Sequence, residues 1–210
     1  MRKLIVDTFV TLDGVMQGPG DPSEDREGGF AYGGWVVPHF DEQLGAHMVG
    51  LVQQAGALLL GRKTYDIFAA AWPNMPDGDP IAEVYNRIPK YVASRSPQTL
   101  EWANSHQLGE DIAVEVAKLK EQDGGGIRVA GSSELVQTLL SNDLVDEFHL
   151  IVFPSIVGSG KRLFGNGAIP RGLSLKSIET TAKGVVIQVY ERTGDLKTGE
   201  FGPEIENSYR

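Results

Sequence analysis

The chain has 210 residues, 41% of them hydrophobic and 22% charged, which is typical of one globular domain with a full core and not of a disordered chain. It has no cysteine, so disulfides, thiolate metal sites and a cysteine nucleophile are excluded. Its net charge of −9 argues against a face that binds long nucleic acid, which needs an excess of basic residues. Neither a signal peptide nor an apolar run long enough to span a membrane is evident, and we expect a soluble, cytoplasmic protein.

The first half of the chain alternates between strand and helix patterns. We predict a strand at 3–12, a helix at 40–55, a buried strand at 57–60, a helix at 64–72, and short strands at 90–93 and 100–107. A long polar loop at 13–38 follows the first strand and is too long for a simple connection. Two interpretations are open. The loop is a lid that carries Met16, Phe30, Tyr32 and Trp35, or it is a surface excursion with Trp35 as a packing anchor.

The second half repeats this alternation. We predict a helix at 112–121, a strand at 127–130, a helix at 132–142, a strand at 147–153, and a hairpin of strands at 173–181 and 185–192. The pattern indicates a single α/β domain at 1–193, with a mainly parallel central sheet, helices on both faces and a C-terminal antiparallel hairpin. Residues 194–210 form a polar tail. The apolar edge strand of the hairpin favours a homodimer, because such an edge is usually covered.

The turn Gly61-Arg62-Lys63-Thr64 carries unusual chemistry for a connection between a strand and a helix. Ligands of parallel sheets bind outside the carboxyl ends of the strands, where this turn lies. Gly61 lets a ligand approach the backbone, and the next three residues open a helix whose free N–H groups favour anions. The alternative is that Thr64 is only a helix cap and Arg62 a solvated charge.

Two more strand ends have a composition suited to anions. Ser94-Arg95-Ser96 places a guanidinium between two hydroxyls, a fork for a phosphate monoester, although a polar loop closed by proline is the alternative. The turn at 131–134 offers backbone amides and hydroxyls to a pyrophosphate, although Ser132 is alternatively a plain cap. Three such turns in an acidic protein predict one small anionic ligand. An adenine dinucleotide with an extra phosphate fits them.

From Met1 to about Arg192 the chain resembles the dihydrofolate-reductase-like superfamily. Within it, the chain is most similar to the C-terminal reductase domain of the riboflavin-biosynthesis deaminase-reductase and its stand-alone relatives. Five segments carry the resemblance: FVTLDGVMQGPG (9–20), ALLLGRKTYDIF (57–68), YVASRS (91–96), VAGSSELVQTLL (129–140) and DEFHLIVFPSIVGSGKRLF (146–164). The resemblance implies an NADPH-dependent reductase that transfers a hydride to a small heterocyclic or carbonyl substrate, pyrimidine- or pterin-like. The expected activity is similar to 5-amino-6-(5-phosphoribosylamino)uracil reductase or dihydrofolate reductase.

The resemblance also implies roles for particular positions. The expected NADPH-binding residues are Val10, Leu12, Gly61, Arg62, Lys63, Thr64, Ser94, Arg95, Ser96, Gly131, Ser132, Ser133, Glu134 and Phe153. Among them, Ser94 and Arg95 are expected to hold the 2′-phosphate. The expected substrate contacts are Trp35, Pro154 and Val157, and the expected carboxyl groups for catalysis are Asp13 and Asp41.

The chain also departs from the family pattern. It has neither the cysteines nor the H-x-E motif of the zinc deaminase that precedes this reductase in the bifunctional enzyme, and it lacks a D-x-P element after the first phosphate turn. Only Lys161, Arg162 and Arg171 are available to clamp a phosphoribosyl group, and each is alternatively a solvated charge. A catalytically inactive NADP(H)-binding sensor or interaction module is therefore the alternative function.

The remaining candidates for chemistry are weak. The four histidines show no metal-ligand spacing, and we expect no metal; His149 is expected to face the surface or a neighbouring subunit. No Ser-His-Asp order or nucleophile elbow appears, so a hydrolase ranks last.

Overall fold

One eight-stranded sheet organises the chain in a computed structural model, which describes residues 1–165 and 168–200. The strands are β1 (Leu4–Thr11), β2 (Ala55–Gly61), β3 (Lys90–Ala93), β4 (Ser105–Gln107), β5 (Gly126–Ala130), β6 (Glu147–Phe153), β7 (Arg171–Thr180) and β8 (Val186–Asp195). Their order across the sheet is β4-β3-β2-β5-β1-β6-β8-β7. The first six strands run parallel, β8 is antiparallel to β6, and β7 is antiparallel to β8.

Five helices cover the two faces of this sheet. They are α1 (Glu42–Gln53), α2 (Arg62–Ala71), α3 (Pro80–Arg87), α4 (Ile112–Glu121) and α5 (Ser133–Ser141). In β2 the consecutive residues Leu58, Leu59 and Leu60 are all fully buried, as expected for a parallel strand covered on both sides. Leu59 packs with residues of α4 and α5, whereas Leu58 and Leu60 pack with residues of α2 and α3. The predicted α/β class with an antiparallel C-terminal hairpin is confirmed.

Some predicted element boundaries agree closely with the structure, and others differ because of local contacts. The first helix begins at Glu42 because Asp41 caps it, accepting a hydrogen bond from the Leu44 N–H. The predicted strand at 100–107 is wrong over its first five residues, because the backbone N–H of Trp102 donates to the Tyr65 hydroxyl and not to the sheet. The last strand runs to Asp195, two residues past the predicted end of the domain. Residues 201–210 of the predicted tail lie outside the described residues.

The sequence analysis missed helix α3. Asp79 caps its start by accepting hydrogen bonds from the N–H groups of Ile81 and Ala82, and Pro80 occupies the first helical position. The helix buries Val84 and Tyr85. No helix within 1–165 or 168–200 has the length and apolar character needed to cross a membrane.

A fully buried lysine, Lys90 on β3, closes the C-terminal end of α3. Its Nζ donates to the carbonyl oxygens of Tyr85 (2.7 Å) and Asn86 (3.2 Å) and lies 4.3 Å from the centroid of the Trp102 ring. The ammonium therefore satisfies carbonyls that a helix end leaves without partners. Burial lowers the pKa of Lys90 to about 8.

Replacing Lys90 with methionine should lower the free energy of unfolding by about 1–3 kcal/mol, because two buried carbonyls lose their donor. The loss should depend on pH, since the folded-state pKa of about 8 lies below the ordinary value of 10.5. Between these values the unfolded chain binds more protons, so the advantage of the wild type over Lys90→Met should grow from pH 8 to about pH 10. Urea denaturation across this range measures it. An advantage that stays flat or shrinks with pH would contradict the assignment.

Candidate functional site

A cleft of about 1470 Å³ opens at the carboxyl ends of β2, β3 and β5. The three turns predicted to hold anions, at 61–64, 94–96 and 131–134, all line this cleft. Small-molecule sites usually measure about 300–1,000 Å³. The cleft therefore has room for a dinucleotide and for a second small ligand beside it.

The first and third turns are joined by the hydroxyl of Ser132. Its Oγ accepts from the Gly61 N–H and donates to Thr64 Oγ1, each over 2.9 Å. Gly131 and Ser132 both have positive φ angles (57° and 60°), which for a serine costs on the order of 1–3 kcal/mol. Ser132 occupies the N-cap position of α5 but its side chain makes no cap hydrogen bond to that helix, and the N-cap of α2 is Gly61 and not Thr64.

The cations of the turns all have acidic partners. The pairs are Arg62 with Asp66, Lys63 with Glu27, and Arg95 with Glu134. The Arg95 side chain is 96% exposed and its pair is loose, at 3.7 Å. Exposed pairs of this kind contribute only about 0–1 kcal/mol, so a phosphate can replace the carboxylates at little cost.

A further part of the cleft lining is apolar and is here called the apolar compartment. Its walls are Phe9, Met48, Leu51, Phe68, Trp72, Ile81 and Tyr85. The rings of Phe68 and Tyr85 stack with centroids 5.9 Å apart, and the Trp72 ring meets Tyr85 edge-on at 5.1 Å. Flat aromatic walls of this kind suit a planar ring.

Two charged side chains, Asp7 of β1 and Arg128 of β5, also line the cleft beside this compartment. Arg128 Nη1 lies 2.5 Å from Asp7 Oδ1, and the two side chains are only 4% and 13% exposed. Burial raises the pKa of the Asp7 carboxyl, against the opposing effects of Arg128 and His149.

His149 belongs to the same cluster, and the expectation that it faces the surface or another subunit is wrong. The residue is 7% exposed because β6 lies inside the sheet, between β1 and β8. Its Nδ1 lies 3.3 Å from Asp7 Oδ1, close but without the alignment of a hydrogen bond, and its Nε2 lies 2.6 Å from Glu147 Oε1.

The two carboxylates predicted for catalysis do not line the cleft. Asp13 accepts hydrogen bonds from the Thr11 hydroxyl (2.6 Å) and from the backbone N–H groups of Val157 (3.2 Å) and Gly158 (2.8 Å). The Thr11 hydrogen bond is the main cause that lowers the pKa of Asp13 to about 2. Asp41 caps α1. Both carboxylates have structural partners, and their catalytic roles stay predictions.

Six further predicted residues also lie away from the cleft wall. They are Val10, Leu12 and Phe153, expected at the cofactor, and Trp35, Pro154 and Val157, expected at the substrate. Side chains alternate along a strand, and the side chain of Val10 packs into the core beside α4 and α5. Phe153 is fully buried and meets the ring of Trp35 at 5.3 Å. The structure gives packing roles to Val10, Trp35, Phe153 and Val157, whereas Leu12 and Pro154 are exposed, and the ligand contacts of all six residues stay predictions.

The long loop at 13–38 combines features of both interpretations. Its residues at 16–20 and 24–26 line the cleft. Trp35 is nevertheless a packing anchor, 8% exposed, and its Nε1 donates to the Gln17 carbonyl over 2.9 Å. A lid function for the loop stays a prediction.

The candidate phosphoribosyl clamp is already neutralised by neighbouring acids. Lys161 pairs with Asp25 and Glu27, Arg162 with Asp13, and Arg171 with Asp143. Of the three cations only Lys161 lines the cleft. The described residues contain no group of three or more His, Asp or Glu side chains placed to hold a metal ion.

The chain matches the family model of the RibD C-terminal domain over residues 2–187. It belongs to the RibD C-terminal domain family. A curated relative, the uncharacterized protein YyaP of Bacillus subtilis, is 30% identical over 196 residues, which cover 92% of this chain and 96% of YyaP. A second, the uncharacterized protein YwjB of the same organism, is 31% identical over 112 residues, 53% of this chain and 60% of YwjB.

Solved structures with the same fold include reductases. A putative riboflavin biosynthesis protein from Shewanella sp. PV-4 superposes with a TM-score of 0.71 at 19% identity, covering 91% of this chain and 99% of that one. The deaminase/5-amino-6-(5-phosphoribosylamino)uracil reductase of Thermotoga maritima gives 0.59 at 15%, covering 91% and 57%. Dihydrofolate reductase of Enterococcus faecalis, complexed with NADP(H), gives 0.55 at 13%, covering 90% and 96%. The fold is therefore dihydrofolate-reductase-like, and the chain is a reductase-like member of the RibD C-terminal domain family.

Sequence reasoning missed the charged cluster of this RibD-family domain. Asp7, Arg128 and His149 each interrupt a strand that is otherwise apolar, LIVDTFVT, GIRVA and EFHLIVF. In strands buried on both faces a charged residue is costly and therefore informative. These three interruptions were the available signal.

Replacing Asp13 with asparagine should lower the free energy of unfolding by about 1–2 kcal/mol at pH 7, because the backbone N–H groups lose a charged acceptor. The pKa of Asp13 is lowered from 3.8 to about 2, so its stabilisation is present above the ordinary value and lost as the pH falls towards 2. The difference between wild type and variant should therefore close between about pH 4 and pH 2, as measured by chemical denaturation. An undiminished gap at pH 2 would show that charge is not the cause.

Proposed function

We propose that the protein is an NADPH-dependent reductase that transfers a hydride to a planar heterocyclic or carbonyl substrate. The observation that carries the proposal is the meeting of three anion-suited turns, at 61–64, 94–96 and 131–134, in one cleft. Membership of the RibD C-terminal domain family supports it. The Enterococcus faecalis relative in fold is complexed with NADP(H), which supports the choice of cofactor.

The chain offers the donors that a dinucleotide needs. The N-termini of α2 and α5 both open on the cleft, and the two successive left-handed residues at 131 and 132 form a concave run of backbone N–H groups suited to phosphate. We propose that these two turns hold the diphosphate. Ser94, Arg95 and Ser96 would hold the 2′-phosphate. When bound, the cofactor supplies the hydride, and the protein's part is to bind and orient it.

The proposed substrate class rests on the apolar compartment. Its stacked aromatic walls suit a planar ring held beside the cofactor site. Lys161, the one candidate clamp residue that lines the cleft, is paired, since its Nζ lies 2.5 Å from Asp25 and 2.7 Å from Glu27. We therefore propose a substrate without a phosphate group, in contrast to the phosphoribosyl compound named for the Thermotoga enzyme.

Replacing Arg95 with alanine should weaken NADPH binding about tenfold or more and leave NADH binding nearly unchanged, because the guanidinium serves only the 2′-phosphate. Isothermal titration of the pure protein with each cofactor measures both constants. Arg87→Ala is the matched control, since Arg87 is also an exposed arginine but lies at the end of α3, outside the cleft. Equal losses for NADPH and NADH in Arg95→Ala would reject the 2′-phosphate assignment. Failure of the wild type to bind NADPH would reject the proposed function.

A catalytically inactive NADP(H)-binding sensor is the second candidate. It is favoured by the structural roles of Asp13 and Asp41, which leave the cleft without the acids predicted from the sequence. Oxidation of NADPH in the presence of any compound from a pterin, aminouracil and quinone panel would exclude this candidate. Binding of NADPH with no turnover across the panel would favour it.

We also propose a homodimer formed through the sheet edge at β7. This edge strand leaves Leu173, Leu175 and Ile178 between 40% and 56% exposed, an apolar surface that a second copy would cover.

A further inference from the structure

A row of charged side chains crosses the sheet, with one end in the cleft. In order, it contains Arg128 of β5, Asp7 of β1, His149 and Glu147 of β6, and Lys3. Asp7 and His149 are register partners in neighbouring parallel strands, so their side chains share one face of the sheet. Burying such groups is costly and rarely favours stability over an apolar core, which makes the row a candidate for chemistry.

The two ends of the row face different environments. Asp7 lines the cleft, with its side chain 13% exposed. At the other end, Glu147 is 14% exposed and lies 2.9 Å from the Nζ of Lys3, whose side chain is half exposed. The row therefore connects the cleft to solvent at the opposite edge of the sheet, where the parallel strands begin.

We propose that Asp7 donates the proton that completes a reduction in the apolar compartment, and that His149, held in place by Glu147, shares this proton with Asp7 through Nδ1. The inference rests on the proposed function and supplies its missing proton source. Neither carboxylate predicted from the sequence takes this role.

The hydrogen bonds of His149 fix how its ring faces Asp7. Burial raises the pKa of Glu147, but hydrogen bonds from His149 and Lys3 outweigh it and hold the pKa below its usual range. Glu147 is therefore ionised and accepts the Nε2–H of His149, which leaves Nδ1 facing Asp7. Asp7 and His149 can then share one mobile proton. Their 3.3 Å separation is longer than a good hydrogen bond, as is common in catalytic pairs before substrate binds.

Reduction of a C=N or C=O bond adds a hydride to carbon, taken from the reduced nicotinamide, and the π electrons move to nitrogen or oxygen. That atom forms a new N–H or O–H bond with the proton of Asp7 as the carboxyl O–H bond breaks. The Asp7 carboxylate left behind then takes one proton from solvent in the cleft and shares it again with Nδ1 of the neutral His149 ring. Overall, one hydride and one proton are consumed.

Charged and titratable groups surround Asp7 from four elements. They are Arg128 on β5, His149 and Glu147 on β6, His47 on α1 and Tyr85 on α3. Burial raises the pKa of Asp7, the charges of Arg128 and His149 lower it, and the charge of Glu147 raises it. Removing His149 should therefore raise the Asp7 pKa, and removing the Glu147 charge should lower it.

The first test needs neither cofactor nor substrate. The carboxyl carbon of Asp7 is followed by NMR against pH in the full chain labelled with ¹³C-aspartate, and Asp7→Asn identifies its signal. The midpoint should lie above 3.8, rise in His149→Gln and fall in Glu147→Gln. His106→Gln is the matched control, because His106 is exposed on the edge strand β4 and does not line the cleft. A midpoint that responds to neither His149→Gln nor Glu147→Gln would overturn the proton route.

The second test measures turnover of NADPH with 7,8-dihydropterin, a cyclic C=N probe. Asp7→Asn and His149→Gln should each lower kcat about 100-fold or more while leaving the Kd of NADPH unchanged, since they remove proton transfer and not cofactor contacts. Wild-type activity should fall as the pH rises through the measured Asp7 midpoint, and His106→Gln should match the wild type. Thermal melts confirm that each variant is folded.

Wild-type kcat in folded Asp7→Asn would overturn the assignment of the donor. If the wild type binds NADPH but reduces neither dihydropterin nor any other compound of the panel, the proposed function is rejected. In that case the NMR titration alone decides whether the titrations of Asp7, His149 and Glu147 are coupled.

Discussion

The hydroxyl of Ser132 links two of the three turns that form the proposed cofactor site. It accepts from the Gly61 N–H and donates to Thr64, and so ties the turn after β2 to the turn after β5, two neighbouring parallel strands. Because parallel strands end on the same edge of a sheet, the N-termini of α2 and α5 open on the same cleft. The left-handed backbone at Ser132 costs energy, and these two hydrogen bonds offset part of it. The cleft takes its shape from this junction.

Charge is distributed in two different ways around the cleft. At the rim, cations such as Arg95 are exposed and loosely paired, so they can exchange a carboxylate for a phosphate at little cost. Beside the apolar compartment, Asp7 and Arg128 are almost buried, and removal of one partner from such a pair typically costs about 3–5 kcal/mol. The rim therefore suits reversible binding of an anion, and the buried pair suits a fixed chemical group. This division would let an acidic protein, with a net charge of −9, bind the negatively charged coenzyme that we propose.

The fold class and the three turns could be predicted from the sequence because both depend on local patterns. Alternating apolar strands and amphipathic helices define the sheet, and glycine, hydroxyl or basic residues in different combinations mark the three strand ends. Long-range contacts could not be predicted in this way. Trp102 leaves the expected strand because its N–H bonds to Tyr65, 37 residues away in the chain, and His149 meets Asp7 only through the pairing of β6 with β1. In the sequence, Asp13 directly follows the first strand, where an acid near the ligand is expected. In the structure it accepts hydrogen bonds from Val157 and Gly158, which lie in a loop whose placement the sequence does not reveal.

A crystal structure of the protein soaked with NADPH tests the central claim most directly. The account predicts one dinucleotide in the cleft, with its diphosphate between Thr64 and Ser132, its 2′-phosphate at Arg95, and its nicotinamide directed towards the apolar compartment. A dinucleotide bound elsewhere, or one whose phosphates contact only one of these turns, would contradict the convergence on which the account depends.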